Sequence, residues 1–164
     1  MSRTAHQLPT FDVGAMAVPE NAVRFTIRGE AASKANSREL VTVGPKDNRR
    51  TLFRKSDKAI AFEAAALLQI PVEARRMYVG WVGVEMRMFY ASLLPDLDES
   101  IVLDVMQARF APAPKERKGN RVLLRAGVYL NDRQVWHKRV TRGHDPISPR
   151  IEIAVWPLLP ELIA

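Results

Sequence analysis

Asp96, Asp98 and Glu99 put three carboxylates within a four-residue stretch, behind Pro95 and ahead of Ser100. Two ionised carboxylates about 4 Å apart repel by roughly 4 kcal/mol at an effective dielectric near 20. Such a cluster is tolerated with a cation between its members, or with one of them protonated. A divalent cation held there grips a phosphate oxygen and activates water for in-line attack on a phosphodiester. Asp132, in the polar turn Asn131-Asp132-Arg133-Gln134, is the natural further ligand if that turn comes to lie beside Asp96. The stretch from Pro95 to Ser100 suits a plainer role as well. Asp98 or Ser100 can cap a helix, with Glu99 in its positive first turn.

A phosphodiester reading needs cations to hold the polyanion, and the chain is rich in them. Lys and Arg number 25 against 18 Asp and Glu, a formal net charge of +7. Lys34, Arg38, Arg49, Arg50, Arg54, Lys55 and Lys58 crowd one stretch with Lys46, opposed only by Glu39, Asp47 and Asp57. Lys138 and Arg139 follow Asp132 closely. These nine are the candidate phosphate contacts, and a basic hairpin beside a solvated helix face is the alternative reading of the first seven. The chain has no cysteine and only three histidines, His6, His137 and His144, well apart in sequence. Disulfides, zinc–thiolate sites and cysteine nucleophiles are therefore excluded, and a metal would be held by oxygen, which points to magnesium or manganese. No Gly-x-Ser-x-Gly elbow, Walker loop or Gly-x-Gly-x-x-Gly run is present. Two carboxylates also serve glycosidases, but the basic balance and scarce aromatics argue against a sugar groove.

The 164 residues are enough for one domain with its own core. Residues 1–20 read as a flexible tail and 21–164 as a single nuclease-like domain. Strands are expected at Ala22 to Ile27, Leu40 to Val43, Tyr78 to Leu94, Val135 to Thr141 and Ile151 to Trp156. A helix capped by Ser56 or Asp57 runs to about Gln69, with Ile60, Ala64 and Leu67 on one face, and a second helix follows Ser100. Arg121 to Ala126 reads as a helical turn or two ended by Gly127. The order implies an α+β fold, a mostly antiparallel or mixed sheet with two main helices packed on it. Trp81, Trp136 and Trp156 fall on strands, where core packing is the default. His137 and His144 read as packing or surface residues. Ala111 to Asn120 reads as an exposed basic loop. No apolar run is long enough for a membrane span, and Met1 to Glu20 lacks a signal-peptide core, so a cytoplasmic protein is expected.

Pro95-Asp96-Leu97-Asp98, followed by Gly127-Val128-Tyr129-Leu130-Asn131-Asp132-Arg133-Gln134-Val135, resembles the RusA family of Holliday-junction resolvases, small nucleases common in bacteriophages and prophages. Ser33-Lys34-Ala35-Asn36-Ser37-Arg38 after the first strand, and Lys55-Ser56 opening a helix, fit the same pattern. The similarity spans roughly residues 22 to 156 in order. It implies a homodimeric, magnesium-dependent endonuclease, with manganese as a substitute, that nicks opposing strands of branched DNA in a bacterial or phage-infected cell. Carried over, Asp96, Asp98 and Asp132 form the acidic metal site, with Glu99 standing where the family has Asn. Four residues after Asp98 the family has a lysine implicated in catalysis, and this chain has Val102. Lys138 is the candidate to replace it in space; the alternatives are a relative that binds junctions without cutting them well and a basic phage assembly protein.

Overall fold

The computed structural model describes residues 17–32, 38–44, 49–111 and 121–159, with side chains unassigned at 38, 39, 41, 50, 52 and 53. Most of the expected tail, the loop over 112–120, Lys34, and the side chains of Arg38 and Arg50 thus lie outside the described residues. Four strands form one sheet: β1 (Val23–Arg28), β4 (Val82–Tyr90), β7 (Val135–His144) and β8 (Arg150–Pro157), in the order β1-β8-β4-β7. β8 pairs antiparallel with both β1 and β4, whereas β4 and β7 run parallel. The sheet is mixed, as the sequence implies. Parallel neighbours require a crossover, and the chain from Ala91 to Gln134 supplies it. All three candidate aspartates lie inside that crossover.

Alternation along the central strand explains the layering. Val82, Val84, Met86, Met88 and Tyr90 are buried on one face with Ile151, Ile153 and Val155 of β8 and with Phe25 and Ile27 of β1. Burying each large side chain contributes on the order of 1.5–3 kcal/mol. Over this face lie α1 (Asp57–Gln69) and α2 (Ser100–Met106). The Ser56 Oγ accepts the Ala59 N–H at 3.3 Å, so the expected cap is there. The buried stripe of α1 is Ala59, Phe62 and Ala66, one position off the predicted Ile60–Ala64–Leu67 face. Alanines surround this helix on several sides, so the placement of Phe62 decides the rotation. Gln69 ties the end of α1 to β1, accepting from Arg28 N–H at 2.9 Å and donating to Arg28 C=O at 3.0 Å. Arg75 donates to the carbonyls of Leu67 and Ile70, supplying the cation that the last turn of α1 lacks.

Three local expectations change. β2 (Arg38–Val43) and β3 (Arg50–Lys55) form a two-stranded antiparallel hairpin, as the alternative reading of this stretch had it, although β3 is not among the expected strands. Val122 to Arg125 do not form a helical turn: Leu123–Arg125 is a strand, β6, paired with β5 (Arg109–Phe110). The central strand is also shorter than Tyr78 to Leu94. Tyr78 joins only an isolated bridge to Tyr129, and Gly80, at φ +94°, separates it from β4. Trp156 is buried with Ala154 and Leu158 in a small cluster that also takes in Val18 and Ala22, at one end of the opposite sheet face.

Gly127 is where the crossover passes closest to α2's exit. A Cβ there would stand 2.2 Å from the Ala108 backbone nitrogen. Gly127→Ala should therefore lower stability by about 2 kcal/mol or more, read as a shift of the urea midpoint. His137 offers a second test. It is buried, and burial, then the nearby Arg139, depresses its pKa, with Glu85 opposing. A depressed histidine pKa favours the folded state above the unfolded pKa near 6.5. That contribution is lost as pH falls through the lower folded value. The melting temperature should drop between pH 7 and 5, and His137→Gln should flatten the drop.

Candidate functional site

Two segments carry the candidate carboxylates. The first leaves β4 at Tyr90, whose hydroxyl donates to the Asp96 carbonyl at 3.3 Å. That bond folds the chain back over the strand end and sets Asp98 before α2. Asp98 is 7% exposed, low for a carboxylate. Its Oδ1 accepts from the Ser100 N–H at 3.1 Å and the Ser100 hydroxyl at 2.7 Å. Its Oδ2 is buried without a hydrogen-bond partner. Asp98 is thus held on one oxygen and left open on the other. It does not act as the N-cap residue, which is Glu99, whose side chain makes no cap bond. Glu99 pairs with Lys138 instead. A lysine therefore stands next to the Asp98 segment, reached from β7 rather than from α2. Val102, in place of the family lysine, is fully buried in the core.

The second segment runs from Val128 to Val135. Val128 N–H donates to Met106 C=O at 2.8 Å, and Ala108 N–H donates to Tyr129 C=O at 2.9 Å. The buried Tyr129 hydroxyl donates to Leu103 C=O at 2.9 Å, locking the segment onto α2. Burial, then Asp132 and Asp104, push that hydroxyl's pKa well above its ordinary value, so it stays a donor. Gln134 shapes the turn. Its Oε1 accepts from the N–H groups of Leu130 and Asn131, each at 2.8 Å. Its Nε2 donates to the carbonyls of Tyr78 at 2.9 Å and Gly80 at 2.7 Å. Asn131 caps the short 3-10 turn Asp132–Gln134 through a capping box with Gln134. The spacing of Asn131 and Gln134 carried that signal, but the polar run reads first as a source of ligands. Asp132 is exposed on the first turn of this cap.

The two segments are packed together, yet their carboxylates are not gathered. Among the described residues, no three Asp, Glu or His side chains come together in a way that could hold a metal ion. Asp98 precedes the first turn of α2, where Tyr90 is the tyrosine that feels its charge. Asp132 is carried by the segment anchored along α2 to its end, where its charge acts on Tyr129 together with Asp104. About 10 Å of helix separates the two ends of α2. Among the described residues, Asp96, Asp98 and Asp132 are thus not gathered into one group within a chain, and Asp98 has a buried carboxylate oxygen without a partner.

The cations are also arranged differently from a single basic patch. Arg54 pairs with Asp57 at 3.1 Å and Lys58 with Glu30 at 3.6 Å. Lys55 pairs with Glu63 and lies 3.8 Å from Asp104. It faces a groove of about 330 Å³ between α1 and α2, which Arg109 and Arg125 also line. Arg49 is exposed at the turn end of the β2–β3 hairpin. Lys138 and Arg139 cannot serve one surface, because successive residues of a strand face opposite ways. Lys138 meets Glu99 on the helix side, and Arg139 meets Glu85 on the other.

Gln134→Ala should leave two N–H groups and two carbonyls without their partner, costing about 2 kcal/mol and several degrees of melting temperature. Gln134→Glu keeps the acceptor but loses the donor, and an intermediate loss is expected in the same melt. Searches against protein-family models and against characterised proteins return no match to this chain.

Proposed function

We propose that this chain acts on branched DNA as a phosphodiesterase of the RusA type, with Asp98 the carboxylate on which cleavage depends. The observation that carries the reading is the state of Asp98: buried, fixed through Oδ1 by Ser100, and unpartnered at Oδ2. An unpaired buried carboxylate oxygen costs on the order of 1–3 kcal/mol or more, and functional sites are where such costs persist. Support also comes from the packing of the two aspartate segments on one short helix and from the net charge of +7. Magnesium is the cofactor this reading expects, and a homodimer would present two equivalent sites to the two cut points of a junction.

A second reading is favoured by Val102 and by the separation of Asp98 from Asp132: a relative that binds junctions without cutting them. One assay separates the two. A labelled four-way junction is incubated with the protein in Mg²⁺, in Mn²⁺ and in chelator. Metal-dependent nicking, reduced about a hundredfold or more by Asp98→Asn with junction affinity kept, is the expected result. Tight binding without nicks under every condition establishes the second reading. Equal affinity for junction and linear duplex at matched salt removes both.

A further inference from the structure

Both helices lie on one face of the sheet. On the other, Glu85, Arg87 and Phe89 of β4 and Arg139 and Thr141 of β7 border an open groove of about 450 Å³. Trp81 and Trp136 stand at the end of this groove. Val135 pairs with Val82 and His137 with Gly83, so Trp136 is the extra residue of a bulge. Bulges re-aim side chains. Here the bulge sets the Trp136 indole against Trp81, with ring centroids 4.9 Å apart and planes at 49°. The two are 47% and 41% exposed, whereas tryptophan is usually well buried. Trp81 shares the alternation of Gly83, Glu85 and Arg87, which puts the indole pair and the groove on one track. At ~3.3 Å per residue, Trp81 to Phe89 spans roughly 26 Å.

The charge of this face selects the partner. Arg24, Arg28, Arg87, Arg139 and Arg150 project from it, against Glu85, Glu152 and the Asp145 that pairs with Arg150 at 2.6 Å. Five cations to three anions, with flat apolar rings at one end, suit a polyanion that carries aromatic bases. A second copy of this chain does not fit as well, because the same net positive face would meet itself across a two-fold axis.

We infer that this face binds single-stranded DNA, with bases stacked on Trp81 and Trp136 and the backbone running along Arg139 and Arg87. The inference rests on the branched-DNA reading and deepens it, naming an unpaired strand as part of what is recognised. It also places that strand on the side of the sheet away from α1 and α2.

The test titrates the full-length protein with a short oligothymidylate at fixed salt, following tryptophan fluorescence, and separately with a four-way junction. Trp156 is buried, so quenching reports on the exposed pair. Trp81→Ala with Trp136→Ala should weaken oligonucleotide binding about tenfold or more, since each stacked base is worth that much. The paired phenylalanine variants should keep most of the affinity, and Arg87→Gln should lower the salt slope. Binding without quenching, or unchanged affinity in the alanine variant, overturns the inference. So does a change in sedimented mass in place of a change in DNA affinity, which would make the face a self-association surface. Oligonucleotide binding that needs the tryptophans, in a protein that neither prefers nor cuts junctions, supports this inference while removing the nuclease reading. Junction cleavage with no oligonucleotide binding does the reverse.

Discussion

The buried hydroxyl of Tyr129 and its bond to Leu103 hold the two acidic segments in one structure. α2 has seven residues, too few to be stable as an isolated helix in water. It persists because its apolar face, Ile101, Val102, Val105 and Met106, is buried and because its open carbonyls are met from outside. Tyr129 bonds to Leu103, Val128 to Met106, and Arg125 to Val105 and Gln107. Removing these would expose helix-end carbonyls and release the segment that carries Asp132. Val102 belongs to the same economy. A lysine at that position would have to be buried or would have to pull α2 off the core, so a valine there favours packing over charge.

Electrostatics in this chain are local rather than collective. A net charge of +7 suggests a broad positive field, yet most of the expected contacts have a carboxylate close by: Arg54 with Asp57, Lys55 with Glu63, Lys58 with Glu30, Lys138 with Glu99, Arg139 with Glu85. Exposed pairs of this kind contribute little to stability, about 0–1 kcal/mol each. Their consequence lies in binding instead. A phosphate entering such a pair competes with a neighbouring carboxylate, which lowers affinity and increases the reward for correct placement.

The alternation of β1 and β8 and the Ser56 cap were legible in the sequence because each depends on nearby residues. The mixed α+β character followed from the order of elements alone. β3 was legible only through the basic hairpin of the alternative reading, since its six residues carry no hydrophobic period. β6 was misread as helix because Leu123, Leu124 and Arg125 are good helix formers, and only pairing with β5 makes them a strand. Within the candidate site, the two bonds from Ser100 to Asp98 Oδ1 and the unpartnered Oδ2 were not legible, because they depend on burial. Trp81 and Trp136 were expected in the core, yet both are partly exposed, Trp136 as the extra residue of a bulge beside Val82 and Gly83.

Both acidic segments sit in the single long connection between the parallel strands β4 and β7, while β1, β8 and β4 are joined antiparallel without it. Parallel pairing must wait until a loop of more than forty residues has closed, and this entropic delay falls on one part of the chain. Among the described residues β7 is also one of the two outer strands of the sheet, paired there with β4 alone. Local opening of β7 and its crossover can therefore dissolve the acidic region while three strands stay paired. In such a molecule the lifetime of the site is set by the weakest foldon, and a ligand bridging the crossover to the sheet would lengthen it by mass action.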